Sequence, residues 1–254
     1  MILVANSCLA ILLCSSNLLW MNIITLHNDI KQIESPDSLC IFRGYLTYVT
    51  FALNNYSFLS SAFHRYLSIL YSTCLFWQFK SNQFLFICCT WIFAILFPMA
   101  FIFTGDIIYN IDNQICQVIL SFSFPIIFLS IFVYFMPVLF TMLIYWKLIL
   151  YVKEMSRRVI STNVLFRAQR ELKMVRRTVI LLLILITIGF PYAIFIFMSF
   201  FTSPPLYHFR IAYIFAATSV TYVLVALFQF TDPLKAFVIS KLNIRPNTIG
   251  LTTV

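Results

Sequence analysis

Ionisable side chains inside apolar sequence are the first candidates for chemistry in this chain. His64, Arg65 and Tyr66 stand together in one long apolar stretch, and Asp232-Pro233 stands in another. A charged group at membrane depth is costly, so it usually marks an ion pathway, a proton relay or an ion-pair switch. The alternative for Asp232 is polar support of a helix break at Pro233.

The sequence contains no cluster of residues that could form an enzyme active site. The three histidines, His27, His64 and His208, are scattered along the chain. Metal sites need clustered ligands, and catalytic sites need a nucleophile or acid beside a base. The sequence therefore predicts no enzyme, no cofactor and no metal site.

The composition shows that the helices that carry these residues face lipid and not water. The 254 residues are 62% hydrophobic and 10% charged, whereas soluble domains carry roughly 25% charged residues. A membrane-spanning helix needs about 20 mostly apolar residues. Six stretches qualify: Ile2 to about Leu26, Cys40–Tyr71, Phe84–Phe103, Val118–Tyr151, Thr178–Phe201, and Ile211 to about Ile239. We therefore predict an all-α polytopic transmembrane helical bundle, without the alternating segments of a barrel.

Positive charge is concentrated on one side of the predicted membrane. Of the 17 Lys and Arg, all except Lys31, Arg43 and Arg210 fall on the side that holds both chain ends. The positive-inside rule makes that side cytoplasmic. The net charge of +9 therefore reflects topology, and no nucleic-acid partner is expected. The basic joint Lys153–Arg177 also suits contact with anionic membrane lipid.

Two cysteines, Cys40 and Cys116, fall at extracellular positions under this orientation. An oxidising exterior permits a disulfide between them. Spacing alone leaves two interpretations open, a bridge or two unrelated thiols, because sequence says little about connectivity.

Motifs along most of the chain resemble those of the rhodopsin-like (class A) G-protein-coupled receptors. In chain order they are Cys40, Phe63-His64-Arg65-Tyr66, Trp91, Cys116, Pro137 with Tyr145, Phe190-Pro191-Tyr192 and Asp232-Pro233. The resemblance implies a Cys40–Cys116 disulfide, an extracellular ligand, a heterotrimeric G protein as partner and a location in the plasma membrane.

The six spans then correspond to helices two to seven of a seven-helix receptor. Asn6, Leu9 and Ala10 resemble the Asn-x-x-Leu-Ala pattern of the family's second helix. We therefore expect an N-terminally truncated receptor, with a transmembrane bundle over residues 1–239 and a short cytoplasmic tail over residues 240–254.

Four positions depart from the family pattern. His64 replaces the acid before Arg65, Gly189 stands where a Trp is usual, and Ala236 stands where a Tyr is usual. The apolar run Ile11–Leu13 occupies the region of the family's sodium-binding Asp. Sodium needs oxygen ligands, so no sodium site of the usual kind is expected.

The resemblance also implies a set of activation-switch residues. These are His64, Arg65, Tyr66, Tyr145, Glu171, Pro191, Asp232 and Pro233. Glu171 stands where receptors that lock the third-helix Arg carry an acid, which predicts an Arg65–Glu171 ion pair in the resting state. The alternative is an exposed Glu171 among neighbouring cations, which contributes little.

Two binding sites are also expected, one from the resemblance and one from the C-terminal residues. The ligand-pocket candidates are Arg43, Thr47, Tyr192, Ile196 and Tyr213, with ordinary core packing as the alternative. Thr47 stands where amine receptors carry an Asp, which argues against a small amine ligand. The C-terminal Thr252-Thr253-Val254 matches the ends that PDZ domains bind by strand addition.

The rival interpretation is a six-helix transporter or channel with both ends in the cytoplasm. It predicts internal repeats or paired broken helices, and we find no repeat in the sequence. It also needs polar residues along a path, for which Asn54, Asn55 and Asp232 are the main candidates.

Overall fold

The computed structural model describes residues 2–33, 35–70, 80–120, 123–157, 179–180, 183–184, 186–187, 189–202 and 205–230. In these residues six helices run alternately towards and away from one β-hairpin. The helices are α1 Ile2–Lys31, α2 Cys40–Leu70, α3 Lys80–Phe103, α4, α5 Gly189–Met198 and α6 His208–Phe230. Helix α4 joins Phe124–Leu129, a π-helical turn Ser130–Phe135 and Met136–Arg157 without a break. The predicted all-α bundle is confirmed.

The hairpin lies between α3 and α4 in the chain. Its strands are β1 Ile107–Asn110 and β2 Ile115–Val118, antiparallel, with Ile107 opposite Val118. We call the end of the bundle that carries it the hairpin end. All four residues of β2 are buried, so this strand belongs to the protein interior and not to the surface.

Helix length and hydropathy identify four candidate spans among the described residues. They are Ile2–Lys31, Ser81–Phe103, Phe124–Glu154 and His208–Ala226. Helix α2 has the length but not the hydropathy, because it is the central helix: it packs against α1, α3, α4 and both strands. A helix surrounded by protein can carry polar side chains that a lipid-facing helix cannot.

One predicted boundary is wrong. The fourth span was expected to begin at Val118, but Val118 ends strand β2 and α4 begins at Phe124. The apolar run across this boundary is continuous in sequence, and hydropathy cannot separate a buried strand from a buried helix. Pro125 marks the true start, since proline is favoured in the first turn of a helix, where no backbone donor is needed.

A disulfide between Cys40 and Cys116 attaches β2 to the start of α2, with the two Cα atoms 5.4 Å apart. One turn further along α2, Gly44 allows the strand to come close. A Cβ atom at residue 44 would overlap the carbonyl oxygen of Cys116 and lie 3.0 Å from Ile107 Cγ2. The hydroxyl of Tyr48 then accepts a hydrogen bond from the Val118 N–H at 3.1 Å. Cys40, Gly44 and Tyr48 share one face of α2, which docks the hairpin.

Aromatic packing joins α3 to α4. Phe97 of α3 stacks on Phe128 of α4, with ring centroids 5.1 Å apart, and its centroid lies 5.8 Å from that of Phe132. Offset and edge-to-face ring pairs at such distances add to the energy of area burial. This cluster fixes the position of α4 next to its π-helical turn.

Gly44→Ala should destabilise the fold, because the added methyl group meets rigid backbone. We expect a loss of about 1–3 kcal/mol, the usual cost of overpacking, read as a lower melting temperature of the purified chain in detergent. Gly189→Ala is the matched control, because its Cβ would have ordinary contact with the Tyr134 hydroxyl at 3.7 Å. Equal melting temperatures for the two variants would contradict this account.

Candidate functional site

A cavity of about 340 Å³ lies between α2, α4, α5 and α6. This is near the lower end of the range of roughly 300–1,000 Å³ for small-molecule sites. Its wall consists of Tyr48, Phe51, Asn54, Asn55, Ile126, Leu129, Ser130, Val133, Tyr134, Phe135, Gly189, Tyr192, Ala193, Ile196, Ala212, Tyr213, Ala216, Ser219 and Val220. None of these described residues is charged at neutral pH. The cavity is therefore suited to an uncharged guest.

The π-helical turn of α4 forms one side of the cavity, and it follows from Pro137. Proline has no N–H, so the carbonyl of Val133, four residues earlier, has no α-helical donor. The Met136 N–H bonds to Ile131 O, five residues back, which also leaves the carbonyl of Phe132 without its helical partner. The sequence at Pro137 thus creates two free carbonyls in the protein interior.

Two adjacent side chains of α2 satisfy those carbonyls. Asn55 Nδ2 donates to Val133 O at 2.8 Å, and the Tyr56 hydroxyl donates to Phe132 O at 2.9 Å. A buried carbonyl without a partner costs about 1–3 kcal/mol, so these bonds stabilise the turn. π-Helical turns inside α-helices are frequent at functional sites, and this one places Ser130, Val133 and Tyr134 in the cavity wall.

Three of the five predicted pocket residues line this cavity. Tyr192 and Ile196 lie one turn apart on α5, and Tyr213 lies on α6. Tyr48 of α2 lies in the same wall. The structure therefore brings together aromatic groups from three helices.

The structure does not bring Arg43 and Thr47 to this cavity. Arg43 is 3% exposed, forms a two-pronged ion pair with Asp37 and lies 5.6 Å from the centroid of the Trp20 ring. Thr47 accepts a hydrogen bond from Asn17 Nδ2 at 3.0 Å and donates to Arg43 O. Both side chains stabilise the contact between α1 and α2 at the hairpin end.

A second ion pair closes the hairpin end between α1 and α6. Arg210 donates from both terminal nitrogens to Asp29, at 2.8 and 3.0 Å. Asn113, in the hairpin turn, is fully buried and donates to Leu206 O at 3.0 Å. The hairpin turn is thus attached to the residues that precede α6.

The described activation-switch residues lie on three helices. His64 Nε2 accepts a hydrogen bond from Gln83 Nε2 of α3 at 3.0 Å, and Tyr66 packs against the core. Tyr145 is buried in α4, and Pro191 lies in α5 beside Tyr192. Glu171, Asp232 and Pro233 lie outside the described residues, as does the tail Thr252–Val254.

Two features of α1 concern the residues that resemble the family's second helix. Trp91 Nε1 of α3 donates to Asn6 Oδ1 of α1 at 2.9 Å. In the run Ile11–Leu13, Ile11 is completely buried, whereas Leu12 and Leu13 are 47% and 37% exposed. An aliphatic side chain therefore occupies the inward-facing position.

Sequence reasoning missed the polar residues that shape the cavity. Asn54, Asn55 and Tyr134 line it, and none was among the pocket candidates. The signal was the pair Asn54-Asn55, because adjacent amides inside an apolar helix need partners within the protein. Asn55 has its partner in the π-helical turn of α4, 78 residues further along the chain.

Comparison with known proteins gives one family. The family model described as "7 transmembrane receptor (rhodopsin family)" matches residues 3–234. Among solved structures, squid rhodopsin is similar, with a TM-score of 0.67 and 14% sequence identity over 94% of this chain and 82% of the squid chain. No curated protein matches the chain in sequence.

Asn55→Leu should destabilise the chain, because Val133 O loses its donor. We expect a loss of about 1–3 kcal/mol, measured as a lower melting temperature in detergent. Thr218→Val is the control: Thr218 is exposed and donates to Ile214 O of its own helix. If Asn55→Leu has the same melting temperature as the wild type, the bond to the π-helical turn contributes nothing to stability.

Asp37 should make stability depend on pH under acid conditions. Its hydrogen bonds with Arg43 hold the pKa of this carboxyl below its usual 3.8. A carboxyl group whose pKa is lower in the folded than in the unfolded chain stabilises the fold at pH values above its unfolded-state pKa. That stabilisation is lost as the pH falls through the folded-state pKa. Asp37→Asn should therefore melt below the wild type at neutral pH, with the difference shrinking below about pH 4. A constant difference would rule out this linkage.

Proposed function

Because this chain belongs to the rhodopsin family of seven-transmembrane receptors, we propose that it detects an extracellular ligand and passes the signal to a heterotrimeric G protein. The observation that supports the proposal is the cavity, which four helices build and whose described lining residues carry no charge at neutral pH. Membership of this family favours the receptor over the alternative interpretation, a six-helix transporter or channel.

The proposed mechanism begins with a ligand in contact with Tyr192 and Ile196. Both lie on α5, and Pro191 precedes Tyr192 in the same helix. A proline within a helix removes one backbone hydrogen bond and creates a point of bending. A ligand that binds better to one tilt of α5 shifts the population towards it. Helical residues also precede α5, at 179–180, 183–184 and 186–187, and the tilt moves these residues relative to the part of α5 that follows Pro191.

We propose a plasma-membrane location with the hairpin end outside. The support is the charge distribution, since nearly all Lys and Arg fall on the opposite side. The basic segment from Lys153 to Arg177 then faces both the G protein and anionic membrane lipid. The tail Thr252–Val254 is proposed as a PDZ ligand.

A resting-state ion pair between Arg65 and Glu171 is part of the proposal. Arg65 lies near the end of α2 opposite the hairpin. In this arrangement Glu171 would hold the cytoplasmic ends of two helices together, and an agonist would release them. A pair of this kind sets an equilibrium between two states, so breaking it changes activity without any ligand.

Glu171→Ala should raise basal signalling several-fold, because the resting state loses its ion pair. The measurement is second-messenger output in cells at matched surface expression. Adding Arg65→Gln should abolish the increase, since Arg65 is proposed to contact the G protein once released.

Asp112→Ala is the control, an exposed acid in the hairpin turn at the opposite end of the bundle, and it should leave basal output unchanged. Unchanged output in Glu171→Ala, with a responsive G protein coexpressed, would refute the ion-pair lock.

A further inference from the structure

Asn54 presents an unused hydrogen-bond acceptor to the cavity. The side chain is 3% exposed and lines the cavity wall. Its Oδ1 atom has no hydrogen-bond partner among the described residues. Buried amide oxygens are almost always paired, so an unpaired one in a cavity wall indicates a missing partner.

Three other polar groups of the cavity wall have hydrogen bonds of their own, and the hydroxyls of Tyr134, Tyr192 and Tyr213 also line the wall. Asn55 Nδ2 donates to Val133 O, and Ser130 Oγ donates to Ile126 O at 2.7 Å. The Tyr48 hydroxyl accepts from the Val118 N–H. Among the described residues of the cavity wall, Asn54 carries the one buried side-chain polar atom that lacks a partner.

The cavity is unsuited to a charged guest. No charged residue lines it in the described part of the chain, and Arg43 is paired with Asp37 away from it. An ion moved from water into such a site would lose its hydration without gaining a counter-charge. Uncharged molecules have no such penalty.

Water alone is a poor occupant of this space. At about 340 Å³, the space is far larger than the roughly 10–15 Å³ that a single water needs. A buried water needs two to four polar partners, and most of the wall is aliphatic or aromatic. A molecule of about ten non-hydrogen atoms with a single polar end fits the lining better.

We propose that the cavity takes an uncharged, largely apolar small molecule that donates one hydrogen bond to Asn54 Oδ1. This rests on the proposed receptor function, because it names the ligand class of the same site. The apolar body packs against the aromatic rings of Tyr192 and Tyr213. Gly189 leaves room for it, since among the described residues a Cβ there would meet the Tyr134 hydroxyl at 3.7 Å and no other atom outside its own helix within 4 Å.

Four probes that differ in one group test the proposal. They are 4-propylbenzyl alcohol, its methyl ether, 4-propylbenzylamine and 4-propylbenzoate. Each is titrated against the purified full-length chain in detergent at pH 7, and the apparent Kd is obtained from the rise in melting temperature. The alcohol should bind about three- to tenfold more tightly than the ether, the difference expected for one hydrogen bond. The amine and the carboxylate should bind more weakly than both.

Variants of Asn54 separate its acceptor from general packing. Asn54→Leu should bind the alcohol and the ether equally. Asn54→Asp should reverse the order of the affinities, so that the cationic amine binds most tightly. This gain in affinity for the amine can be measured even if Asn54→Leu does not fold. Gly189→Trp should abolish binding of all four probes by filling the cavity.

Asn17→Leu is the matched control. Asn17 is also buried with an unpartnered Oδ1, but it does not line the cavity. This variant should keep the preference of the wild type for the alcohol.

Three results would overturn the proposal. They are tighter binding of a charged probe than of the alcohol by the wild type, equal binding of alcohol and ether, and no stabilisation by either uncharged probe. The proposed function fails separately. If the alcohol binds as expected while Glu171→Ala and the probe leave every G protein silent in cells, the ligand class stands and the receptor function does not.

Discussion

The approach of strand β2 to helix α2 at Gly44 is the contact on which the arrangement of this molecule depends. The carbonyl oxygen of Cys116 occupies the space that any side chain at residue 44 would need. With that space free, the Cys40–Cys116 disulfide and the Tyr48–Val118 hydrogen bond form on the same face of α2. The hairpin turn then lies where Asn113 can hold the segment before α6. The absence of a side chain at Gly44 thus determines how α2, the hairpin and the segment before α6 pack together.

Helix α2 meets a second constraint, which is to satisfy polar groups where no water is available. Its amides and hydroxyls bond to α1 through Asn17 and to the π-helical turn of α4 through Asn55 and Tyr56. The need arises elsewhere, because Pro137 removes a donor from α4. A helix surrounded by protein on all sides can supply these partners, and this explains why α2 is the least apolar of the long helices.

The cavity combines these two effects. The π-helical turn directs Val133 and Tyr134 into it, and α2 contributes Tyr48 and Asn54. The charged residues near the hairpin end are held apart from it, since Arg43 pairs with Asp37 and Arg210 with Asp29. The result is a largely apolar chamber in which Asn54 Oδ1 is a buried acceptor without a partner among the described residues, and the helix that carries Pro191 forms part of the wall.

The sequence by itself determined the solvent, the helices and the family. Apolar runs of spanning length predict helices regardless of what they pack against, and motif residues such as Cys40, Arg65 and Trp91 have fixed places along them. Three of the five pocket candidates lie in the wall of one cavity, and two of them, Tyr192 and Ile196, lie one turn apart on the same helix. Only the tertiary structure decided that Val118 belongs to a strand, that Arg43 is paired away from the cavity and that Asn54 Oδ1 has no partner among the described residues. Each of these depends on contacts between residues distant in the chain, and hydropathy and spacing carry no information about such contacts.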